Sequence, residues 1–309
     1  MELTGPDFPK RKAEPNRFQA FALRRQLGCD APVPPTWRIL AAERSVVLVG
    51  LVISVALVST FVVKRMDDDP PGRPGWNLVW HDEFNDDTLN QQYWNSQDAV
   101  SPRNDELQYY TPNQIAVRRG HLRLTSDREA YRDRLFTSAA VDTYERFAFT
   151  YGRVEVRARL PRMGPGIWPA LWLLGTGCHP VNGPCSWPTS GSSEIDIMEA
   201  VNLPTTVYGD LHYGNTVGTS WSPGRLEWPA QDLSTRFHVF AVEWERGGVV
   251  RWYVDDAPIG ERLAPGYFDT PMYLIMNTAV GGTLPGSPTA ETRFPQHFDV
   301  DFIRVYQRN

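Results

Sequence analysis

Apolar and polar residues alternate along most of the chain after residue 75, and this period of two is typical of half-buried β-strands. Between Tyr151 and Leu160, valine, alanine and leucine side chains fall on one face, and arginine and glutamate side chains fall on the other. Five further segments follow the same pattern: His121–Thr125, Phe237–Trp244, Val249–Asp255, Met272–Asn277 and Val300–Gln307. Turn residues separate the segments, and the domain lacks the pattern of long amphipathic helices. The sequence therefore predicts an all-β sandwich or barrel.

A different pattern occupies Val46–Val63, where every residue is apolar or small and none is charged. This length is about sufficient to cross a bilayer core of about 30 Å. Basic residues precede the run, and three aspartates follow it closely, so the positive-inside rule keeps the N-terminus in the cytoplasm. We expect an uncleaved signal anchor. A cleaved signal peptide and a buried core helix are the alternatives, but the preceding stretch is long, no A-x-A site follows, and the run is apolar all round.

The chain is thereby divided into four parts. Residues 1–45 are predicted to be a largely disordered cytoplasmic tail, and residues 46–63 a single transmembrane helix. Residues 64–75, rich in Asp, Pro and Gly, are predicted to be a stiff, solvated linker. Residues 76–309 then form one extracellular domain, tethered to the cell membrane.

Composition narrows the classes of function. The 309 residues carry a formal net charge of −5 without a basic stripe, so nucleic acid is not an expected partner. Hydrophobic residues make up 41% of the chain, enough for a large core. Aromatic residues make up 12%, and they are expected to divide between that core and surfaces on which sugar rings stack.

Two of the three cysteines, Cys178 and Cys185, close a short loop rich in Gly and Pro. A disulfide between them would suit an oxidising compartment. Two reduced thiols, or a metal pair completed by His179, are the open alternatives. Cys29 precedes the folded domain and is expected to stay free.

Three acids stand among large apolar residues in the segment S-S-E-I-D-I-M-E-A. In a strand, Glu194 and Asp196 share a face, whereas a regular pleat would send Glu199 into the core. An ionised carboxylate without a partner there would be very costly. One extra residue, a β-bulge near Ile197–Met198, returns Glu199 to the acidic face. The sequence therefore predicts a bulge that aligns three carboxylates.

The spacing of these acids suggests a reaction. With the bulge, the carboxyl groups of Glu194 and Glu199 can approach to roughly 5 Å, which fits retaining glycoside hydrolysis better than the wider inverting geometry. Asp196 between them adds charge, so one of the three groups should stay protonated near neutral pH. The alternative is a solvated acidic face on an edge strand, either without a ligand or with bound calcium.

The chain resembles glycoside hydrolase family 16 in its bulged-strand branch, and most closely the laminarinase-like endo-1,3-β-glucanases. The resemblance extends from Trp80 to Gln307 and rests on E-I-D-I-M-E, supported by W-H-D-E-F, N-D-E-L-Q-Y-Y-T, G-I-W-P-A-L-W, L-H-Y-G, F-H-V-F-A-V-E-W and V-D-F-I-R-V-Y-Q. It implies a jelly-roll sandwich with a concave substrate cleft. It also implies that Glu194 is the nucleophile, that Glu199 is the acid/base, and that Asp196 hydrogen-bonds to the nucleophile.

The resemblance further implies contacts outside the acidic strand. The sugar-binding residues would be Asn104, Trp168, Trp172, Trp187 and His212, although Trp172 could instead belong to the core and His212 could only brace a strand. Catalysis is expected to need no cofactor. A structural calcium is implied on the convex side, with Glu83, the carbonyl of Gly120 and Asp301 as ligands.

Two departures from the family pattern bear on these expectations. Ser193 stands where the family usually has glycine, and it should be tolerated unless the backbone there needs a positive φ. Gly281–Gly286 lacks the tryptophan that laminarinases often carry after the paired glycines. This difference leaves the glucan preference open.

The function expected from these residues is endo-acting, retaining cleavage of β-1,3-glucan of the laminarin type, or of mixed β-1,3/1,4-glucan, by double displacement. A membrane-tethered β-glucan transglycosylase is an alternative with the same site. A non-catalytic β-glucan recognition protein and an agarase- or carrageenase-type specificity are further alternatives.

Overall fold

The computed structural model describes residues 70–179, 185–189, 191–214, 220–221, 226–263 and 266–309. The predicted cytoplasmic tail, the predicted signal anchor and the first half of the predicted linker lie outside these residues. Within the described part of the chain, no helix has the length and apolar character needed to cross a membrane.

Nineteen strands and one short 3-10 helix make up the described elements. The first ten strands are β1 (Trp76–Asp82), β2 (Asn95–Ser96), β3 (Ala99–Val100), β4 (Gln108–Tyr110), β5 (Ile115–Val117), β6 (Leu122–Ser126), β7 (Phe136–Ser138), β8 (Ala140–Asp142), β9 (Gly152–Arg159) and β10 (Ile167–Gly175). The others are β11 (Glu194–Glu199), β12 (Thr206–Gly214), β13 (Ser220–Trp221), β14 (Leu226–Pro229), β15 (His238–Trp244), β16 (Val249–Val254), β17 (Ala257–Leu263), β18 (Met272–Val280) and β19 (Gln296–Arg308). The 3-10 helix, Pro112–Gln114, begins after Thr111, whose side chain accepts a hydrogen bond from the amide of Asn113.

Two large antiparallel sheets build the domain. One, called here the site sheet, has the strand order β13-β12-β11-β10-β18-β8-β2, with β14 also pairing with β12. The other, the back sheet, has the order β17-β16-β15-β9-β19-β6-β5, with β1 also pairing with β19. A three-stranded sheet of β3, β4 and β7 accompanies them.

One hydrophobic core joins the inner faces of the two large sheets. It includes Ile195 and Leu211 from the site sheet and Val156, Trp252 and Phe298 from the back sheet, all almost fully buried. Alternating apolar residues supply these inner faces, as the period of two predicted. The predicted all-β sandwich is confirmed, and many of the aromatic side chains belong to its core.

Strand β9 departs from the half-buried pattern that its sequence predicts. Its apolar face is buried as expected, but Arg153 on the polar face is also only 1% exposed. The Arg153 guanidinium donates to Glu155 (2.7 Å), Glu243 (3.1 Å) and Asp256 (3.0 Å), and it lies 4.6 Å from the ring centroid of Tyr253. Burial is tolerated because acidic partners from β9 itself, from β15 and from the turn after β16 satisfy the charge.

The end of the predicted linker is docked on the domain. The Arg73 guanidinium lies 2.6 Å from Glu155 and 2.6 Å from Asp256, and its carbonyl accepts a hydrogen bond from the amide of Trp76. Composition alone did not predict this contact, because the partners are far away in the sequence.

Candidate active site

A β-bulge aligns the three acids of β11. Glu194 faces His212 of β12, and Asp196 faces Asp210, but the next pair joins Glu199 to Tyr208. Between these pairs, two residues of β11, Ile197 and Met198, therefore oppose one residue of β12, Gly209. A register shift also occurs on the β10 side, between Leu171 and Trp172. Because the extra residue returns Glu199 to the face of Glu194, the predicted bulge is confirmed.

The acids lie in a cleft of about 320 Å³ on the outer face of the site sheet. The predicted site residues that line the cleft are Glu194, Asp196, Glu199, Asn104, Trp168, Trp172, Trp187 and His212. The fold therefore brings together all the predicted catalytic and sugar-binding residues.

A tryptophan from the back sheet supports the bulge from beneath. Trp252 is fully buried, and its indole nitrogen donates a 2.7 Å hydrogen bond to the carbonyl of Asp196. The same ring lies against Gly209 of β12, where an added Cβ would approach the ring atoms to 2.6 Å. Glycine at this position therefore lets the ring reach the carbonyl, and the hydrogen bond satisfies a buried acceptor at the bulge.

The groups around Glu194 shift its pKa in opposite directions. Burial and the nearby charge of Asp196 raise the pKa of Glu194 well above its usual range. The His212 charge and a hydrogen bond from the Trp187 side chain act in the opposite direction. The three acids therefore do not all ionise at the ordinary carboxyl pKa, in line with the expectation that one stays protonated.

His212 supplies positive charge to this cluster. Its Nε2 atom lies 3.3 Å from Asp196, 3.7 Å from Asp210 and 4.0 Å from Glu194. Burial would lower the pKa of His212, but the hydrogen bond and charge of Asp196, together with Glu194 and Asp210, raise it to about 10. The imidazole is therefore a cation over the neutral pH range, and it does more than brace the strand.

Glu199 has its own donor. The indole nitrogen of Trp168, on β10, donates a 2.7 Å hydrogen bond to Oε1 of Glu199. Glu199 is 5% exposed and faces the cleft. Trp168 thus contributes an oriented donor in addition to the aromatic surface that the sequence predicted.

A chain of hydrogen bonds forms the cleft floor on the other side of β10. The Trp172 indole donates to Asn277 (2.8 Å), whose amide donates to the hydroxyl of Tyr110 (3.0 Å). That hydroxyl donates to Glu106 (3.1 Å), which also accepts from the amide of Asn104 (3.4 Å). Trp172 therefore lines the cleft instead of joining the main core, and Asn104 is held by an acid.

Trp187 lies at the entrance of the cleft beside Glu194. Its ring is 36% exposed, with the Arg103 guanidinium 5.3 Å from one ring centroid and the His212 ring 5.4 Å away.

Cys178 and Cys185 form the predicted disulfide, so this prediction is confirmed and the metal pair with His179 is not. Arg103 also contacts Cys185 Sγ at 3.0 Å.

The two departures from the family pattern have local explanations. Ser193 does not have a positive φ, and its hydroxyl donates a 2.7 Å hydrogen bond to the carbonyl of Tyr267. Serine is therefore tolerated, as expected. In the second segment, Gly282 has φ +119°, and an added Cβ would lie 2.7 Å from the Asn104 carbonyl. The aliphatic Leu284 follows and lines the cleft.

The acidic residues predicted to hold calcium form ion pairs in this structure. Both carboxylate oxygens of Glu83 accept from the Arg304 guanidinium at 2.9 Å. The Asp301 carboxylate pairs with Arg157, and its other oxygen lies 2.9 Å from Nδ1 of His121. Calcium requires six to eight oxygen ligands, whereas cationic side chains already occupy these carboxylates. Calcium would have to displace these cationic side chains, and the ligand set of Glu83, the Gly120 carbonyl and Asp301 stays a prediction.

Sequence reasoning missed several polar residues in or beside the cleft, among them Arg103, Glu106 and Asp210. Asp210 lies two residues before His212 on β12, so the period of two places both on one face. Glu106 lies two residues after Asn104, and Arg103 lies directly before Asn104. These spacings could have identified Asp210, but the loop that carries Arg103 and Glu106 has no comparable periodicity.

The known proteins that this chain resembles are mostly named as β-glucan-cleaving enzymes. The family model described as "Beta-glucan synthesis-associated protein SKN1/KRE6/Sbg1" matches residues 62–190. The chain is 39% identical over 255 residues to the beta-glucanase of Rhodothermus marinus, covering 76% of this chain and 86% of that protein. It is 35% identical over 273 residues to glucan endo-1,3-beta-glucosidase A1 of Niallia circulans, covering 77% of this chain and 39% of that protein. Among solved structures, the laminarinase catalytic domain from Thermotoga maritima matches with a TM-score of 0.68 at 36% identity, covering 76% of this chain and 99% of that one.

Proposed function

The chain belongs to glycoside hydrolase family 16, and from this premise we propose that it is an endo-acting, retaining hydrolase of β-1,3-glucan or mixed β-1,3/1,4-glucan. The observation that carries the proposal is the bulged strand β11, which presents Glu194 and Glu199 on one face of a tryptophan-lined cleft. A cleft lined along its floor by Trp168 and Trp172 suits an extended sugar chain, because each indole offers an apolar face to a pyranose ring.

In the first step, the ionised carboxylate of Glu194 attacks the anomeric carbon. The bond from that carbon to the glycosidic oxygen breaks, and the Glu199 carboxyl gives its proton to this leaving oxygen. A covalent glycosyl-enzyme on Glu194 results. Asp196 and His212 adjust the charge around the nucleophile, and Trp168 orients the carboxyl group of Glu199 through its hydrogen bond.

In the second step, Glu199 acts as the general base. It takes a proton from water, the resulting oxygen nucleophile attacks the anomeric carbon, and the bond to Glu194 breaks. Two inversions give net retention of configuration and restore both carboxyl groups. Every proton and the attacking group come from the chain and from water, so the reaction needs no cofactor.

The proposal is tested by incubating the full-length chain with laminarin, lichenan and agarose, and by following product mass and anomeric configuration. We expect laminarin to be cut internally into oligosaccharides whose new reducing ends are first released as β-anomers. Release of α-anomers would contradict the retaining mechanism. Binding of laminarin without cleavage would favour a recognition protein, and cleavage of agarose alone would favour a galactan-specific enzyme.

Transglycosylation is the second candidate, and the match to a model of β-glucan synthesis-associated proteins favours it specifically. The same glycosyl-enzyme would form on Glu194, and a sugar hydroxyl would replace water as the second nucleophile. Incubation with a laminarin oligosaccharide of defined length separates the two reactions. Products longer than the donor indicate transfer, and products that are all shorter indicate hydrolysis.

We also propose that residues 46–63 anchor the enzyme in the cell membrane, with residues 1–45 in the cytoplasm and residues 76–309 outside, joined by residues 64–75. The proposal rests on the apolar run and on the basic residues that precede it. After lysis of expressing cells, the intact chain should fractionate with membranes. Protease added to intact cells should remove the catalytic domain. Recovery of the enzyme from the cytosol after cell lysis would contradict this topology.

In the proposed mechanism, the rise of kcat/KM with pH on the acid side of the profile depends on His212. Glu194 must be ionised to attack, and its raised pKa places the rise of kcat/KM above the ordinary carboxyl range. Because the His212 cation lowers the pKa of Glu194, we expect His212→Gln to raise that pKa further. The acid limb should move to higher pH by about one unit. The measurement is kcat/KM on laminarin between pH 4 and 9.

The matched control is His297→Gln, which removes a histidine from the back sheet. His297 lies near Thr125, outside the cleft, and should leave the pH profile unchanged. An acid limb that stays in place in His212→Gln would show that His212 does not tune the nucleophile.

A further inference from the structure

The nucleophile end of the cleft holds three side chains whose donor atoms converge. Single ligand atoms of Glu194, Asp196 and His212 all lie within 4.8 Å of one another. The distance from Nε2 of His212 is 3.3 Å to Asp196 and 4.0 Å to Glu194. A second aspartate, Asp210, places Oδ2 at 3.7 Å from the same nitrogen. One imidazole nitrogen is therefore surrounded by three carboxylates.

The chemistry of these donors matches a particular class of cation. Tetrahedral zinc binds imidazole nitrogen and carboxylate oxygen at about 2.0–2.2 Å, which places neighbouring ligand atoms about 3.4 Å apart. The distance from His212 Nε2 to Asp196, 3.3 Å, is close to this value, and Glu194 lies 4.0 Å from the same nitrogen. An imidazole ligand favours zinc, copper, nickel or cobalt, whereas magnesium and calcium prefer sites built from oxygen alone.

The backbone holds these donors in place. Glu194 and His212 are direct partners across β11 and β12, and so are Asp196 and Asp210. The amide of Leu211 donates a 2.8 Å hydrogen bond to the other oxygen of Asp210. Sites on paired strands are more precisely ordered than sites on loops. The side chains of Glu194 and His212 are 15% and 24% exposed, so an ion can enter from the cleft.

We propose that this cluster binds one zinc-class divalent ion, with Glu194, Asp196 and His212 as ligands, and that the bound ion reversibly inhibits the enzyme. The ion takes the place of the proton on His212, and this proton leaves to solvent. It also holds the oxygen with which Glu194 would attack, and it occupies the position of the sugar ring. The inhibition rests on the proposed catalytic role of Glu194, whereas the binding of the ion does not.

The test titrates ZnCl₂ into the full-length chain by calorimetry and measures laminarin cleavage on the same samples. We expect one ion per chain, loss of activity in step with occupancy, and full recovery after addition of EDTA. CoCl₂ should give the visible absorption of a four-coordinate site, and MgCl₂ at the same concentration should neither bind nor inhibit. A laminarin oligosaccharide should compete with zinc.

Variants assign the site. His212→Gln should lower zinc affinity by at least about 100-fold, because it removes the nitrogen ligand. His297→Gln, a histidine of the back sheet, should bind zinc like the unmodified chain. Zinc binding that survives His212→Gln, or the absence of any binding, would overturn the proposal. If the chain binds zinc as expected but does not cleave laminarin, the function fails and the metal site stands.

Discussion

Replacing Glu194 by alanine should reduce laminarin cleavage by at least about 10⁴-fold, because it removes the group that we assign to form the covalent intermediate. The loss should appear in kcat, with laminarin still bound, since the tryptophans that line the cleft are unchanged. The fold should persist, because the substitution removes a carboxylate whose charge is opposed by Asp196. The measurements are reducing-end release and the unfolding temperature.

A matched control and a rescue make this prediction specific. Glu261→Ala removes an exposed carboxylate from β17, the edge strand of the back sheet, and should leave activity unchanged. Azide can enter the space left by Glu194→Ala and attack an aryl β-laminaribioside from the same face. One inversion then gives the α-glycosyl azide. Residual cleavage above about one tenth of the original rate would show that Glu194 is not the nucleophile.

Replacing Glu199 by alanine should have a large effect that depends on the leaving group. On laminarin, whose leaving oxygen needs a proton, we expect a loss of about 10²- to 10⁴-fold. On an aryl β-laminaribioside with an acidic phenol, the first step needs little protonation and should be largely retained. Without a general base, the glycosyl-enzyme on Glu194 should accumulate and appear as a burst of phenol followed by a slow steady rate.

Two comparisons separate this outcome from general damage to the site. Azide should speed the second step of Glu199→Ala and give the β-glycosyl azide, the opposite anomer from that of Glu194→Ala. Trp168→Phe keeps an aromatic ring but removes the donor to Glu199, so its loss on laminarin should be smaller than that of Glu199→Ala. Equal losses on laminarin and on the aryl substrate would contradict the assignment of Glu199 as the acid.

The effects expected of these substitutions share one physical basis, the distribution of charge over Glu194, Asp196 and His212. Burial and Asp196 raise the pKa of Glu194, and His212 acts against them as a cation with a pKa of about 10. A free enzyme with this arrangement carries fewer charges than three separate carboxylates would. Substrate binding and catalysis therefore depend on which carboxyl group holds the proton, and the position of His212 decides part of that balance.

Much of this molecule could be predicted from local sequence patterns. Alternation with a period of two identified β9, β15, β16, β18 and β19 before any contact was known. The cost of burying Glu199 predicted the bulge in β11, and a short loop between Cys178 and Cys185 predicted their disulfide. These inferences hold because each depends on neighbours within a few residues, where chain geometry alone determines which side chains share a face or can meet.

Other features depend on partners that are distant in the sequence. Trp252 supports the bulge from the opposite sheet, at the carbonyl of Asp196. Arg304 binds Glu83, which the sequence had assigned to calcium. Arg153 is buried on the face that alternation predicted to be polar. A charged residue becomes buried only where other strands bring an opposite charge to it, and a period of two carries no information about those strands.

The amino-acid sequence by itself thus determined the strands, the bulge and the three acids that line one face of β11. Only the tertiary structure decided how those acids are surrounded: His212 and Asp210 across β12, Trp168 on β10 and Trp187 at the entrance. The reason is that the strand pattern follows from short-range geometry, whereas the pKa values and hydrogen bonds of the site arise from side chains that only the assembled sheets bring within a few ångströms of one another.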